Sequence, residues 1–265
     1  MALQNLDVRG IRFNVRQQGT GSPVLLVHGF PLDLTMWNAQ IEALSQRYHV
    51  IAPDLRGFGA SESMSSDVYS MEQFADDLAD LLDTLEVTEQ VTFCGLSMGG
   101  YIAWQFWRKH RARLKKLILC DTRAAANTPQ GAETRRKMAN HVLRSGTGEI
   151  AALMLPNLLA DSTRKKNQGI VEKLTTVIRN TDPRAIAAAQ HGMAQRDDFS
   201  DELADIDIQT LLLVGEQDTL TTSGEMQGIA NCMPRAHMVT LPNAGHMSPM
   251  ENPQVANQAI LDFLK

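Results

Sequence analysis

The 265-residue chain is 43% hydrophobic with a net charge of −5, enough apolar material for one sizeable α/β core and the wrong charge for a nucleic-acid binder. No apolar run approaches the roughly 20 residues of a membrane span, and the opening Met1-Ala2-Leu3-Gln4-Asn5-Leu6-Asp7 lacks the basic-then-apolar order of a signal peptide. Cys94, Cys120 and Cys232 show no metal-ligand spacing, and the first two end apolar runs, as buried thiols of a reducing compartment do; a cytoplasmic protein is expected.

Along the chain, short apolar runs predict strands over 11–17, 24–28, 49–53, 91–94, 117–120, 210–214 and 237–241. Several are apolar without interruption, the pattern of parallel strands buried on both faces. Helical periodicity falls between them, over 37–46, 71–85, 98–110 and 253–264. In the second of these helices Phe74, Leu78, Leu81, Leu82 and Leu85 share one face. Strand–helix alternation of this kind predicts an α/β fold with a mostly parallel, doubly wound sheet.

The alternation stops between about 123 and 196. That stretch is helical throughout, over 131–143, 149–159, 164–179 and 183–193, with no strand between the helices. A helical cap inserted before the late strands accounts for it. The expected division is a core of residues 1–122 and 197–265 and a cap of residues 123–196. The cap segment holds 12 Lys or Arg and 5 Asp or Glu, a charge of +7, and the remainder carries −12. Solvated helix faces and complementary packing explain that asymmetry; a basic lid that favours anionic substrates is the functional alternative.

The residues with chemistry lie just past strand ends, where open parallel sheets place their ligands. Gly95-Leu96-Ser97-Met98-Gly99 follows the apolar run ending at Cys94, the signature of a sharp strand-to-helix turn that exposes a serine. Asp218 follows 210–214 through Gly215-Glu216-Gln217, and His246 follows 237–241 through Pro242-Asn243-Ala244-Gly245. A serine hydroxyl needs a base to take its proton and return it to the leaving group, and the imidazole needs a carboxylate to fix its tautomer. These needs predict Ser97 as nucleophile, His246 as general base and then acid, and Asp218 as the orienting acid. Asp121 also ends a strand and is the rival acid. The oxyanion hole is expected from the backbone N–H groups of Met98, at a helix N-terminus, and Phe30, in the loop His28-Gly29-Phe30-Pro31. His28 is expected to hold that loop. Phe30, Leu32, Trp37 and Met247 are candidate pocket residues, with Met138, Leu153, Met154 and Leu158 from the cap, whereas Trp104 and Trp107 are expected to pack the core.

On His28-Gly29-Phe30-Pro31, the glycine-rich stretch 53–61, Gly95-Leu96-Ser97-Met98-Gly99-Gly100, Gly215-Glu216-Gln217-Asp218 and Ala244-Gly245-His246, the chain resembles the α/β-hydrolase superfamily over essentially its whole length. Within it the chain looks like the compact capped serine esterases and the 3-oxoadipate enol-lactonase group. The resemblance implies hydrolysis of a small-molecule carboxylic ester through an acyl-serine, without metal or organic cofactor. It leaves open an enol-lactone hydrolase for an anionic lactone, and a triad-bearing receptor or non-hydrolytic enzyme such as a perhydrolase or lyase. A monomer or homodimer is expected, with neither nucleic acid nor a membrane span as partner.

Overall fold

The computed structural model describes residues 2–265. Eight strands form one sheet: β1 (Ala2–Val8), β2 (Ile11–Gln18), β3 (Pro23–Val27), β4 (His49–Pro53), β5 (Val91–Leu96), β6 (Leu114–Cys120), β7 (Thr210–Gly215) and β8 (Ala236–Leu241). Their order across the sheet is β1-β2-β4-β3-β5-β6-β7-β8. The β1–β2 and β2–β4 pairings are antiparallel and all others parallel. The sequence-derived strands match, with one addition. Strand β1 is an edge strand with largely exposed alternate positions, so it carries no apolar run to announce it. Its hairpin turn, Arg9-Gly10, has φ of 50° and 81°, the left-handed pair of a type I′ hairpin.

Strands β3, β5 and β7 are buried at every position, which is why they read as unbroken apolar runs. Each fully buried Val, Leu or Phe there contributes about 1.5–3 kcal/mol. Helices connect the parallel strands: α1 (Asn38–Leu44), α2 (Met71–Thr84) and α3 (Met98–His110) in the first half. In the second half α9 (Ser223–Cys232) follows β7, and α10 (Ser248–Glu251) and α11 (Pro253–Leu264) close the chain. The buried side of α2, including Phe74, Leu78, Leu81 and Leu82, packs beside α3, and α1 packs beside α11. Trp104 stacks on Phe199 with ring centres 5.3 Å apart, and Trp107 meets the same ring edge-on. Both tryptophans are core residues.

Between β6 and β7 lie five α-helices: α4 (Pro129–Ser145), α5 (Thr147–Leu158), α6 (Asp161–Lys166), α7 (Gln168–Asn180) and α8 (Pro183–Gln195). The single helix expected over 164–179 is two. Asn167, at φ −127° and ψ 74°, leaves the helical region and caps α7 by accepting from the Ile170 N–H at 3.2 Å. Helix α4 packs along α8, and α5 along α7. The inserted helices are tied to the sheet's loops through Tyr69 N–H to the Ala188 carbonyl, 3.0 Å, and Lys173 Nζ to the Thr35 carbonyl, 2.6 Å. Among the described residues no helix is long and apolar enough to cross a membrane.

The order β4-β3-β5 fixes where a ligand belongs. From β3 the chain steps one way to β4 and then returns to β5 on the other side. The carboxyl ends of β3 and β5 therefore flank a topological switch point, the crevice where open α/β sheets bind ligands.

Candidate active site

At the carboxyl end of β5 the chain must reverse into α3 within one residue, and Ser97 does so at φ 53°, ψ −109°, a strained conformation for a residue with a side chain. Neighbouring segments hold it. Its N–H donates to the Cys120 carbonyl at 2.8 Å, and its own carbonyl accepts from Gly100 N–H at 2.9 Å and from Thr122 Oγ1 at 2.8 Å. A Cβ on Gly95 would collide with the Gly99 carbonyl, and one on Gly100 with Thr122. Both glycines are thus demanded by close approach, and the turn delivers the Ser97 hydroxyl to the end of the sheet.

Two further strand ends complete the arrangement. Asp218 follows β7 and His246 follows β8, and the fold brings both to Ser97. His246 Nδ1 lies 2.8 Å from Asp218 Oδ2, and His246 Nε2 lies 2.9 Å from Ser97 Oγ. With a carboxylate on Nδ1, that nitrogen carries the proton, and Nε2 is free to accept from the serine hydroxyl. The other Asp218 oxygen accepts from Leu220 N–H at 2.7 Å and Thr221 N–H at 3.0 Å. The His246 and Asp218 side chains are 5% and 0% exposed, so their interaction is shielded from water and from salt. Burial pushes the Asp218 carboxyl up, but the hydrogen bond and charge of His246 and the two backbone donors outweigh it and hold it below its ordinary value.

Asp121 is the rival acid, and it is occupied elsewhere. Its Oδ1 accepts from Gly215 N–H at 2.8 Å and its Oδ2 from the Ser248 hydroxyl. It is fully buried, and burial together with the nearby Asp218 charge pushes its carboxyl well above the ordinary range. Ligating atoms of Asp121, Asp218 and His246 do lie within 4.8 Å of one another, as metal ligands would. A metal ion there would have to displace the His246–Asp218 bond and the partners Asp121 already has.

Phe30 lies three residues past β3, and Met98 follows Ser97 and opens α3. Among the described residues neither backbone N–H has an acceptor, and Met98 belongs to the first turn of a helix, where such groups are left over. His28 anchors the Phe30 loop. Its Nε2 accepts from Leu55 N–H at 3.0 Å and its Nδ1 faces the Gly29 carbonyl at 2.9 Å, so both ring nitrogens are engaged by backbone, and burial lowers its pKa. The glycine-rich stretch after β4 is structural too: Asp54 gathers the N–H groups of Leu34 and Ala60, and Arg56 pairs with Asp77 beneath it.

Above Ser97 and His246 lies a cavity of about 410 Å³. Phe30 lines it, as do Met138, Leu153, Met154 and Leu158 from the inserted helices. Leu32, Trp37 and Met247 do not line it. They are at most 1% exposed, packed into the core beneath the loops, and proximity in sequence to the active loops misplaced them. A larger cleft of about 730 Å³, by Asp33 and Asp54, contains neither Ser97 nor His246.

The profile of the alpha/beta hydrolase fold family matches residues 22–253. The chain belongs to that family. It is similar to a thermophilic esterase from Thermogutta terrifontis, solved with malate bound: 45% identity, TM-score 0.94, covering 99% of this chain and 96% of that one. It is also similar to the enol-lactonase from Burkholderia xenovorans LB400, at 27% identity and TM-score 0.91, covering 98% and 99%. Among relatives by sequence, 3-oxoadipate enol-lactonase 2 of Acinetobacter baylyi (strain ATCC 33305 / BD413 / ADP1) is 30% identical over 235 residues, 88% of this chain and 85% of that protein. The chain is a hydrolase of the α/β fold.

In this α/β-hydrolase the polar wall of the cavity went unnoticed in the sequence. Arg135, on α4, lines it beside Asn127 and Gln190. Its Nε donates to Asn127 Oδ1 at 3.2 Å and its Nη1 to Gln190 Oε1 at 3.1 Å. Among the described residues no carboxylate comes within ion-pair distance of it. Arg123, also on the wall, is paired with Glu225 at 3.0 Å. A single arginine among many basic helix residues gives no sequence signal of its own.

Proposed function

We propose that the protein hydrolyses small-molecule carboxylic esters through an acyl-serine intermediate, as a carboxylesterase-type enzyme. The observation that carries this is the unbroken chain Asp218–His246–Ser97, two hydrogen bonds of 2.8 and 2.9 Å opening onto a cavity of about 410 Å³. Ser97 Oγ attacks the ester carbonyl carbon while His246 Nε2 takes its proton. The carbonyl oxygen becomes an oxyanion, held by the N–H groups of Phe30 and Met98. His246 returns the proton to the departing alkoxide, the alcohol leaves, and the acyl group stays on Ser97. Water then attacks with the same proton path and releases the acid. Asp218 keeps the imidazole in the tautomer that each transfer needs and stabilises its positive form. No step requires a metal or an organic cofactor.

The five inserted helices, residues 123–196, act in this proposal as the cap that shapes the acyl pocket over the core of 1–122 and 197–265. A cytoplasmic monomer or homodimer is part of the same proposal. Similarity to an esterase at 45% identity supports the ester as substrate. The test is turnover of short-chain p-nitrophenyl esters by the wild-type protein and by Ser97→Ala. Loss of turnover in a folded Ser97→Ala protein is expected, and full turnover would refute the proposal.

One observation favours a second substrate class, an anionic enol-lactone. Arg135 brings a positive charge with no acid partner to the pocket wall, and two of the similar proteins are named enol-lactonases. Rates on matched neutral and carboxylate-bearing lactones, at low and high salt, separate the two classes.

A further inference from the structure

Glu251 has no part in the chemistry proposed above, yet its carboxylate is placed where the base and the pocket wall meet. It closes the short helix α10, five residues after His246. One oxygen, Oε1, accepts from the Gly245 N–H at 2.9 Å; the other, Oε2, accepts from the Ala160 N–H at 2.9 Å. Gly245 is the residue before His246, and Ala160 lies at the junction between α5 and α6.

The residue after His246 is tied to the same junction. Met247 N–H donates to the Leu158 carbonyl at 3.0 Å, and Leu158 lines the cavity. Packing is as close as the bonding. A Cβ on Gly245 would lie 2.5 Å from Ala160 N and 3.0 Å from the Leu159 carbonyl carbon, so the two backbones touch. His246 is thus held on both sides by one segment of the inserted helices. Glu251 bonds both halves of that clamp at once.

We propose that Glu251 is a positioning residue that locks His246 to the acyl-pocket wall, so that the base and the wall at Leu158 move as one body. The physical need is plain. Two backbone donors 85 positions apart in sequence face one side chain, and a carboxylate offers each of them an oxygen. A charged acceptor also strengthens each bond relative to a neutral one. Without it, the Gly245 and Ala160 N–H groups lose their acceptor. The imidazole then loses the register that places Nε2 on Ser97 and Nδ1 on Asp218.

This inference rests on His246 being the base. The experiment compares wild-type protein with Glu251→Ala and Glu251→Gln. Three things are measured: kcat and KM on p-nitrophenyl acetate, the rate at which a fluorophosphonate labels Ser97, and the low-field proton resonance of the His246 Nδ1–H shared with Asp218. Glu251→Ala is expected to lower kcat and the labelling rate by ~10- to 100-fold, the effect of losing a hydrogen bond to a charged group, with KM changed less than about threefold. The low-field proton should broaden or move upfield. Glu251→Gln keeps one acceptor and its size, so it should recover part of both signals. If Glu251→Ala does not fold, the Gln variant carries the same test with a smaller effect. Unchanged kcat, labelling rate and proton resonance in a folded variant would overturn the role, as would a kcat loss with the resonance in place. Should the wild-type protein turn over no ester and take no label, the proposed function fails. The Nδ1–H resonance then still decides whether Glu251 positions His246.

Discussion

Replacing either buried aspartate by asparagine separates the acid that orients the base from the one that does not. Asp218→Asn keeps the shape of the side chain and removes its charge. The Leu220 and Thr221 N–H groups, at 2.7 and 3.0 Å, both need an acceptor, so the amide oxygen must turn toward them. The amide NH₂ then faces His246 Nδ1, which has to become the acceptor. Its proton moves to Nε2, and a protonated Nε2 cannot take the proton of Ser97. The same substitution in a serine-protease triad costs ~10⁴-fold in kcat for this reason, and a loss of that order is expected here. Asp121→Asn meets different partners. The amide oxygen can still accept from Gly215 N–H, and the NH₂ can donate to Ser248 Oγ, so activity should stay within about tenfold of wild type. The assay is kcat/KM on a p-nitrophenyl ester at pH 8, with thermal unfolding as a check that both variants fold. A greater loss from Asp121→Asn than from Asp218→Asn would refute the assignment and move the acid to the strand before.

Three other outcomes are open to direct measurement. Asp121 has a folded pKa raised by burial and by Asp218, so its contribution favours folding below the unfolded value of about 3.9 and turns against it as pH rises through the folded value. Asp121→Asn should therefore raise Tm more at pH 8 than at pH 4, and a pH-independent difference would contradict the buried-charge account. Arg135→Ala should lower kcat/KM for a carboxylate-bearing lactone by ~10-fold or more while changing a neutral ester less than twofold; equal effects would leave Arg135 with a structural role alone. Gly100→Val should abolish the folded protein or its activity, because any Cβ there meets Thr122, and a fully active variant would contradict the packing of the elbow.

Much of the fold is legible in the sequence, for specific physical reasons. Buried parallel strands such as β5 announce themselves because both faces exclude polar residues. Ser97, Asp218 and His246, which the fold brings together, are visible in the sequence as candidates because each follows a strand end and is framed by glycine or a polar turn. The misses have equally physical causes. Strand β1 lies on an edge with water on its outer positions, so no apolar run marks it, although Arg9-Gly10 was a usable hairpin signal. Helix α9 lacks a strong apolar stripe, but its capping box, Thr222 with Glu225, was in plain view. Asn167 splits what periodicity joins because a side-chain cap can end one helix and start the next. Leu32, Trp37 and Met247 are close to the catalytic loops along the chain yet face the core. Side-chain direction at a loop depends on its turn geometry, which a linear pattern does not encode. Arg135 and Glu251 were invisible for a further reason: their significance lies in partners that are present or missing across 55 to 91 positions of sequence.

The central claim is that Ser97 becomes acylated. Mixing the protein with p-nitrophenyl acetate, quenching in acid within milliseconds and measuring intact mass tests it most directly. A single acetyl adduct, mapped to the peptide that holds Ser97 and absent from Ser97→Ala, is the result expected. Turnover of the ester with no adduct on Ser97, or with the adduct on another residue, would contradict the account.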